Sequence, residues 1–296
     1  YKGMNASIAD FDRNGFLDVT VSNVHHALQA EGSMLWMVSA SKDPFVPKFV
    51  DQATQRGALN EKRFGWGGAA GDVDNDGWFD ILQANGMVDD RLDEARFKIP
   101  DGKPKDYWYV NHKLMQSGPE IHTYADMWGD LRGRTIYPNE KRRAYLNLGD
   151  EAPAHFVDVA DALGIADPDD SRGILLADLD NDGDLDVVVA NQHGPASLYR
   201  STLRQVKPDT SHFVDIELRD RAPTSKNTRG VGAVITIHYA SAAGKAIAQM
   251  DEVHLAGGLG AEENPRMHFG LGAYAGDVDV DVRWPGGHVQ HARIRA

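Results

Sequence analysis

The sequence predicts an all-β protein: an incomplete set of propeller-like blades followed by a small β-sandwich. Three observations support this. Short apolar, β-branched runs recur between Gly and Asn residues. One acidic loop pattern appears three times without gaps. The last third of the chain alternates apolar and polar residues with the two-residue period of half-buried antiparallel strands.

The loops come first. They read Asp10-Phe11-Asp12-Arg13-Asn14-Gly15-Phe16-Leu17-Asp18, then Asp72-Val73-Asp74-Asn75-Asp76-Gly77-Trp78-Phe79-Asp80, then Asp178-Leu179-Asp180-Asn181-Asp182-Gly183-Asp184-Leu185-Asp186. Oxygen-bearing side chains stand at positions one, three, five and nine, with Gly at six. Alternate positions converge on one point when a backbone wraps an ion, and Gly allows the sharp turn. Position seven (Phe16, Trp78 or Asp184) then offers its backbone carbonyl. Hard oxygen donors on a flexible loop suit Ca²⁺ better than Mg²⁺ or Zn²⁺. A single such segment reads as an acidic turn; three with the same offsets read as two or three structural calcium sites. Arg13 and Asn14 make the first loop the least acidic, so the weakest site is expected there. An EF-hand is excluded, because position twelve is Val21, Gln83 or Val189 and the flanks are strand-like. An Asn follows each final Asp at one offset: Asn23, Asn85 and Asn191.

The loops are unevenly spaced, as blades with long insertions would be. The span 1–204 is read as blades and 87–145 as an insertion, mixed in character and basic at Lys141-Arg142-Arg143. A second phrase recurs. Tyr145-Leu146-Asn147 leads to Phe156-Val157-Asp158; an eroded copy runs from Met34-Leu35-Trp36 to Phe49-Val50-Asp51; a third begins at Leu198-Tyr199-Arg200. That makes roughly three blades, fewer than a closed ring requires. Upstream sequence or a partner chain is expected to complete the set. The glycines of Gly65-Trp66-Gly67-Gly68-Ala69 are read as allowing close strand packing.

After a linker at Gln205–Thr210 come the alternating runs Phe213–Leu218, Gly232–Tyr239 and Val278–Trp284, so 211–296 is expected to form the sandwich. Asp277, Asp279 and Asp281 fall on one strand face and are read as solvated.

Composition narrows the function. The formal charge is −13, which argues against a nucleic-acid surface. There is no cysteine, and therefore no disulfide, thiol nucleophile or Fe–S cluster within the chain. No apolar run is long enough to span a membrane as a helix. Of the 44 acidic residues, 12 lie in the three loops, so calcium can supply the cross-linking that disulfides do not. Weak oxygen-ligand sites fill most easily where calcium is near millimolar, which points to an extracellular or periplasmic setting.

These loops resemble the FG-GAP, or VCBS-type, repeat of integrin-like β-propellers. The segments Asn227-Thr228-Arg229-Gly230-Val231-Gly232-Ala233, His268-Phe269-Gly270-Leu271-Gly272 and Trp284-Pro285-Gly286-Gly287 resemble the ASPIC/UnbV domain. The combination is similar to the cartilage-acidic-protein-like group. The resemblance implies calcium ligation by Asp10, Asp12, Asn14 and Asp18, by Asp72, Asp74, Asp76 and Asp80, and by Asp178, Asp180, Asp182 and Asp186. It implies a binding or adhesion module for protein or carbohydrate and delivers no reaction.

The alternative is a secreted carbohydrate-active lyase or hydrolase with its site near the insertion. His112, His122, Tyr124 and Asp126 are its acid/base candidates. No nucleophile elbow, P-loop, zinc-protease motif or dinucleotide fingerprint is present.

Overall fold

The computed structural model describes residues 3–26, 29–43, 46–89, 135–192, 194–221, 225–241, 244–255, 259 and 265–296. The fold is all-β: among these residues the helices are the single turns Ala160–Leu163 and Leu203–Val206. No described helix is long and apolar enough to cross a membrane.

The strands run β1 (Asn5–Ala9), β2 (Asp18–Ser22), β3 (Val24–His26), β4 (Gln29–Ala30), β5 (Met34–Ser39) and β6 (Lys48–Asp51). Then come β7 (Arg63–Gly71), β8 (Asp80–Asn85), β9 (Val88–Asp89), β10 (Thr135–Ile136), β11 (Arg143–Asn147) and β12 (Phe156–Asp158). Next are β13 (Ser171–Ala177), β14 (Asp186–Asn191) and β15 (Ser197–Tyr199). The C-terminal part holds β16 (His212–Glu217), β17 (Val234–Ala240), β18 (Ala246–Glu252), β19 (Arg266–Gly272), β20 (Asp277–Arg283) and β21 (Val289–Arg295).

Three antiparallel meanders follow one plan. The first is the sheet β1-β2-β5-β6. The second is β7-β8-β11-β12, extended beyond β7 by the β3–β4 hairpin. The third stops at three strands, β13-β14-β15. In each meander the acidic loop joins the first strand to the second. The sheets stay open, and no closed ring forms among the described residues.

Small residues on the middle meander let the first strands approach each other. Asn5 Nδ2 and Ser7 Oγ of β1 both donate to the Gly68 carbonyl of β7 at 3.0 Å. On the other side, a Cβ on Gly67 would lie 3.1 Å from Gly173 Cα and 3.2 Å from Ile174 N of β13. The glycine-rich run is therefore a packing device, as expected. Asn5 is buried by these contacts.

Two apolar layers lie between the meanders. Phe11, Leu35, Met37, Phe79, Ile81, Tyr145 and Phe156 fill the first, with Phe11 edge-on to Phe156 at 5.7 Å. Leu82, Ala144, Ile165, Ile174, Val187 and Val189 fill the second. A third, separate core lies in the C-terminal part. There the pair β16-β19 and the sheet β18-β17-β20-β21 bury Val214, Ile235, Ile237, Phe269, Val278, Val280 and Val282 together. Along β20 the valines point inward, while Asp279 pairs with Arg293 at 2.6 Å and Asp281 with His291 at 2.6 Å. That aspartate stripe is a surface, as the alternation implied.

One strand changes partner. Phe-Val-Asp ends both β6 (Phe49-Val50-Asp51) and β12 (Phe156-Val157-Asp158), which close the first two meanders. The same three letters recur at Phe213-Val214-Asp215, but there they form β16, paired to β19 and not to β15. Asp51 and Asp158 each accept backbone N–H groups beside their own meander. Asp215 turns instead to His268 of β19.

Candidate metal centres

The three loops are built on one hydrogen-bond frame. The position-one carboxylate receives the N–H groups of positions five and six: Asp10 from Asn14 and Gly15 at 3.0 and 2.9 Å, Asp72 from Asp76 and Gly77 at 3.1 and 2.7 Å, Asp178 from Asp182 and Gly183 at 3.1 Å each. The position-nine carboxylate binds across the loop and outward to the next part of the meander. Asp18 accepts from Phe11 and Val38, Asp80 from Val73 and Asn147, and Asp186 from Leu179 and Ser201. Position five caps position seven, through Asn14 to Phe16, Asp76 to Trp78 and Asp182 to Asp184. Position four is left-handed in all three, at φ 54° for Arg13, 57° for Asn75 and 59° for Asn181. Asx-type bonding and tolerance of the left-handed region explain why Asn and Asp build such loops.

This frame turns carboxylates inward. Asp10, Asp12 and Asp18 bring one oxygen each within 4.8 Å of one another; so do Asp72, Asp74 and Asp80, and so do Asp178, Asp180 and Asp182. Asp76 and Asp186 stay outside those groupings: Asp76 accepts the Trp78 N–H within its loop, and Asp186 accepts the Leu179 N–H within its loop and the Ser201 N–H beyond it. Asn14, Phe16 and Trp78 sit at their expected loop positions, and the Asp184 side chain points away into a buried contact.

The charge around the clusters differs. In the first loop, burial pushes the Asp10 carboxyl up to about 6 and Asp18 up to about 7, and it also raises Asp12. In the second, burial first and neighbouring carboxylates next hold Asp72 and Asp80 well above their ordinary value; burial and then Asp74 lift Asp76 to about 7. Among the described residues, no ion pair reaches the carboxylates of these two loops. The third loop carries its own cations: Arg200 meets Asp180 at 2.5 Å and Asp182 at 3.3 Å, and Arg266 lies 3.8 Å from Asp178.

Three convergent carboxylates in a partly buried loop, with acidity suppressed by burial and mutual repulsion, suit a hard divalent cation. Asp12 Oδ1 is buried with no hydrogen-bond partner, which fits the same need.

The loops are also joined to each other. Arg13 donates to the Gly77 carbonyl at 3.1 Å and lies 3.7 Å over the Trp78 ring, tying loop one to loop two. Asn75 donates to the Gly183 carbonyl at 3.0 Å and to Asp184 Oδ1 at 3.2 Å, tying loop two to loop three. On the far side of Asn75 stands the C-terminal part. His268 Nε2 is 2.6 Å from Asn75 Oδ1, and the Gly272 N–H donates to the Asn75 carbonyl at 2.7 Å.

The family model described as ASPIC and UnbV matches residues 223–295. An ASPIC/UnbV domain is present. A comparison with curated proteins returned no match. The matched span includes β17 to β21, and with them His268, Gly270 and Gly272. The ASPIC/UnbV domain therefore supplies the residues that meet the second acidic loop.

The sequence-level acid/base candidates His112, His122, Tyr124 and Asp126 lie outside the described residues. Of the adjacent His25 and His26, His26 stacks on Tyr137 at 3.5 Å and pairs with Glu140 at 2.8 Å. The sequence reading missed the position-four residues Arg13 and Asn75 as loop connectors. It also missed Arg200 and Arg266 as counter-charges. Only the glycines of His268-Phe269-Gly270-Leu271-Gly272 hinted at a close approach, and they did not reveal to what.

The repeated Asn residues now have a role. Asn23, Asn85 and Asn191 sit at or just beyond the ends of the second strands, away from the loops, and bond neighbouring turns and side chains. Asn85 donates to the Lys141 carbonyl, and Asn191 to the Pro195 carbonyl.

Proposed function

We propose that the chain is a calcium-binding module of an exported protein, extracellular or periplasmic, that serves protein or carbohydrate binding and assembly. Calcium is structural in this reading. The observation that carries it is the triple occurrence of one carboxylate frame with the same backbone bonds. A bound ion neutralises the converging charge and fixes the wrap of the loop. Side chains of Asp10, Asp12, Asn14 and Asp18 would hold it in the first loop, with the Phe16 carbonyl. Asp72, Asp74, Asp76 and Asp80 with the Trp78 carbonyl serve the second. Asp178, Asp180, Asp182 and Asp186 with the Asp184 carbonyl serve the third.

In this proposal the meanders are blades of a β-propeller of the FG-GAP or VCBS type, and the ASPIC/UnbV domain with β16 is a small sandwich. The side-by-side first strands and the apolar layers between successive sheets support that arrangement. Three blades leave a ring unfinished, so further sequence or a partner chain completes it.

Calorimetric titration of the chelated full chain with calcium tests the reading, with thermal melting alongside. Two or three ions and a raised melting temperature are expected, since a ligand of the folded state alone stabilises by mass action. No binding heat, together with an unchanged melting curve after verified metal removal, overturns it.

A further inference from the structure

We infer that the second acidic loop is an ion-gated docking surface whose partner is the ASPIC/UnbV domain of the same chain. The inference rests on the calcium reading above and extends it from structural fastening to coupling between the two parts of the molecule.

The contact is made by backbone as much as by side chain. A Cβ on Gly270 would overlap Asp72 Oδ2 and stand 2.6 Å from the backbone of Asn75, so β19 is pressed directly onto the loop. Gly272 donates its N–H to the Asn75 carbonyl, and His268 Nε2 faces Asn75 Oδ1. The other ring nitrogen, Nδ1, is held 2.9 Å from Asp215 Oδ1, which fixes the ring plane. Gln249 braces the same stretch, donating to the Gly270 carbonyl and the Tyr239 hydroxyl at 2.8 Å each. Beside this, Arg266 donates to Asn181 Oδ1 at 2.8 Å and to the Asp178 carbonyl at 3.1 Å in the third loop.

Asn75 joins the ion position to the docked strand. It lies between Asp74 and Asp76, and its left-handed backbone is part of the wrap around the ion position. Where its carbonyl and amide point is therefore set by how the loop closes. With a cation in place, Asp72, Asp74 and Asp80 converge and Asn75 is presented to β19. Without one, nothing draws Asp72, Asp74 and Asp80 to a common point, and the loop has no reason to keep that presentation. The coupling is reciprocal: an ion that favours docking is itself held more tightly by the docked domain. Gly270 against Asp72 also covers one side of the cluster, so ion release requires the domain to lift.

The test uses the full chain, calcium alone as ligand, and the variants Gly270→Ala and His268→Ala. Calcium titration gives the affinity of each site, stopped-flow chelation gives the release rates, and limited proteolysis across 205–210 reads docking. In the native chain, chelation should speed cleavage of that segment, and one ion should leave more slowly than the rest. Gly270→Ala should weaken one site by roughly 5- to 150-fold, the usual span of coupling between two sites, and should speed release and cleavage even with calcium present. His268→Ala, which adds no atoms, should shift the same site in the same direction and guards against misfolding of the glycine variant. If the native chain binds calcium but both variants keep every affinity and cleavage rate, the coupling is wrong and the calcium reading stands. If the native chain binds no calcium, both fail.

Discussion

His268 of the ASPIC/UnbV domain and Asn75 of the second acidic loop meet at 2.6 Å, imidazole nitrogen to amide oxygen. Asn75 has committed both amide hydrogens to the third loop, at Gly183 O and Asp184 Oδ1, so its oxygen is left to face the domain. One side chain thus links two acidic loops and the C-terminal part. Asn75→Ala removes all three bonds at once. About 1–3 kcal/mol of stability should be lost for the buried groups left unpaired, visible as a lower urea midpoint. An unchanged midpoint would show that the link is decorative.

Asp184 separates ion binding from loop bonding. Its carboxylate is buried, accepts the Arg204 N–H at 2.8 Å and takes an Asn75 hydrogen. Asp184→Ala should lower the melting temperature while leaving the calcium count intact, because in the proposed site only the backbone carbonyl of that residue would face the ion. Asp182→Ala should remove the third ion. Equal calcium losses in the two variants would contradict the assignment.

Arg200 competes with a cation for the third loop through Asp180 and Asp182. Being exposed and screened by solvent, it is a weak competitor. Arg200→Gln should therefore tighten calcium binding at the third loop by a small factor, roughly a few-fold at most. On this prediction the third loop becomes the weakest site, in competition with the first, where the lower acid count puts it. A titration in which Arg200→Gln weakens or leaves unaltered every site would return the weakest position to the first loop.

The ion-free protein should be sensitive to alkali. Burial lifts Asp10 to about 6, and Asp18 and Asp76 to about 7, from an ordinary value of 3.8. A carboxyl whose folded value is raised takes up a proton on folding. Its contribution is therefore fully present below the unfolded value and is lost as pH rises through the folded one. In chelator, the melting temperature should fall between about pH 5 and pH 8. With saturating calcium the fall should shrink, because the ion replaces those protons. Parallel pH profiles with and without calcium would argue against charge crowding in these loops.

Gly67 tests the packing of the first strands. Gly67→Ala places a methyl against the β13 backbone, which cannot retreat as a side-chain end would. A loss of about 1–3 kcal/mol is expected from overpacking. Full native stability in urea would mean that β7 and β13 are not held at this spacing.

How much of this was legible in advance depends on the range of the interaction. The loop frame is local: position one bonds to five and six, nine bonds to two, and five to seven, all within one turn of chain. Identical letters at identical offsets therefore produce identical bonds, and the sequence alone determined the acidic clusters, their strand flanks and the alternation of Val278, Val280 and Val282. The phrase Phe-Val-Asp shows where local letters stop deciding. At Phe49 and Phe156 it closes a meander and leaves Val157 exposed, and at Phe213 it joins β19 and buries Val214, because the pairing partner is chosen by which strand edge lies nearby.

The sequence by itself determined that this protein is all-β, carries three acidic loops of one design and, after them, an ASPIC/UnbV domain. Only the tertiary structure decided that the loops form a connected set, that Arg200 and Arg266 answer the third, and that β19 lies on the second. The physical reason is distance along the chain. Asn75 and His268 are far apart in sequence, and a 2.6 Å contact between them depends on how strands from both parts stack, which no local period records.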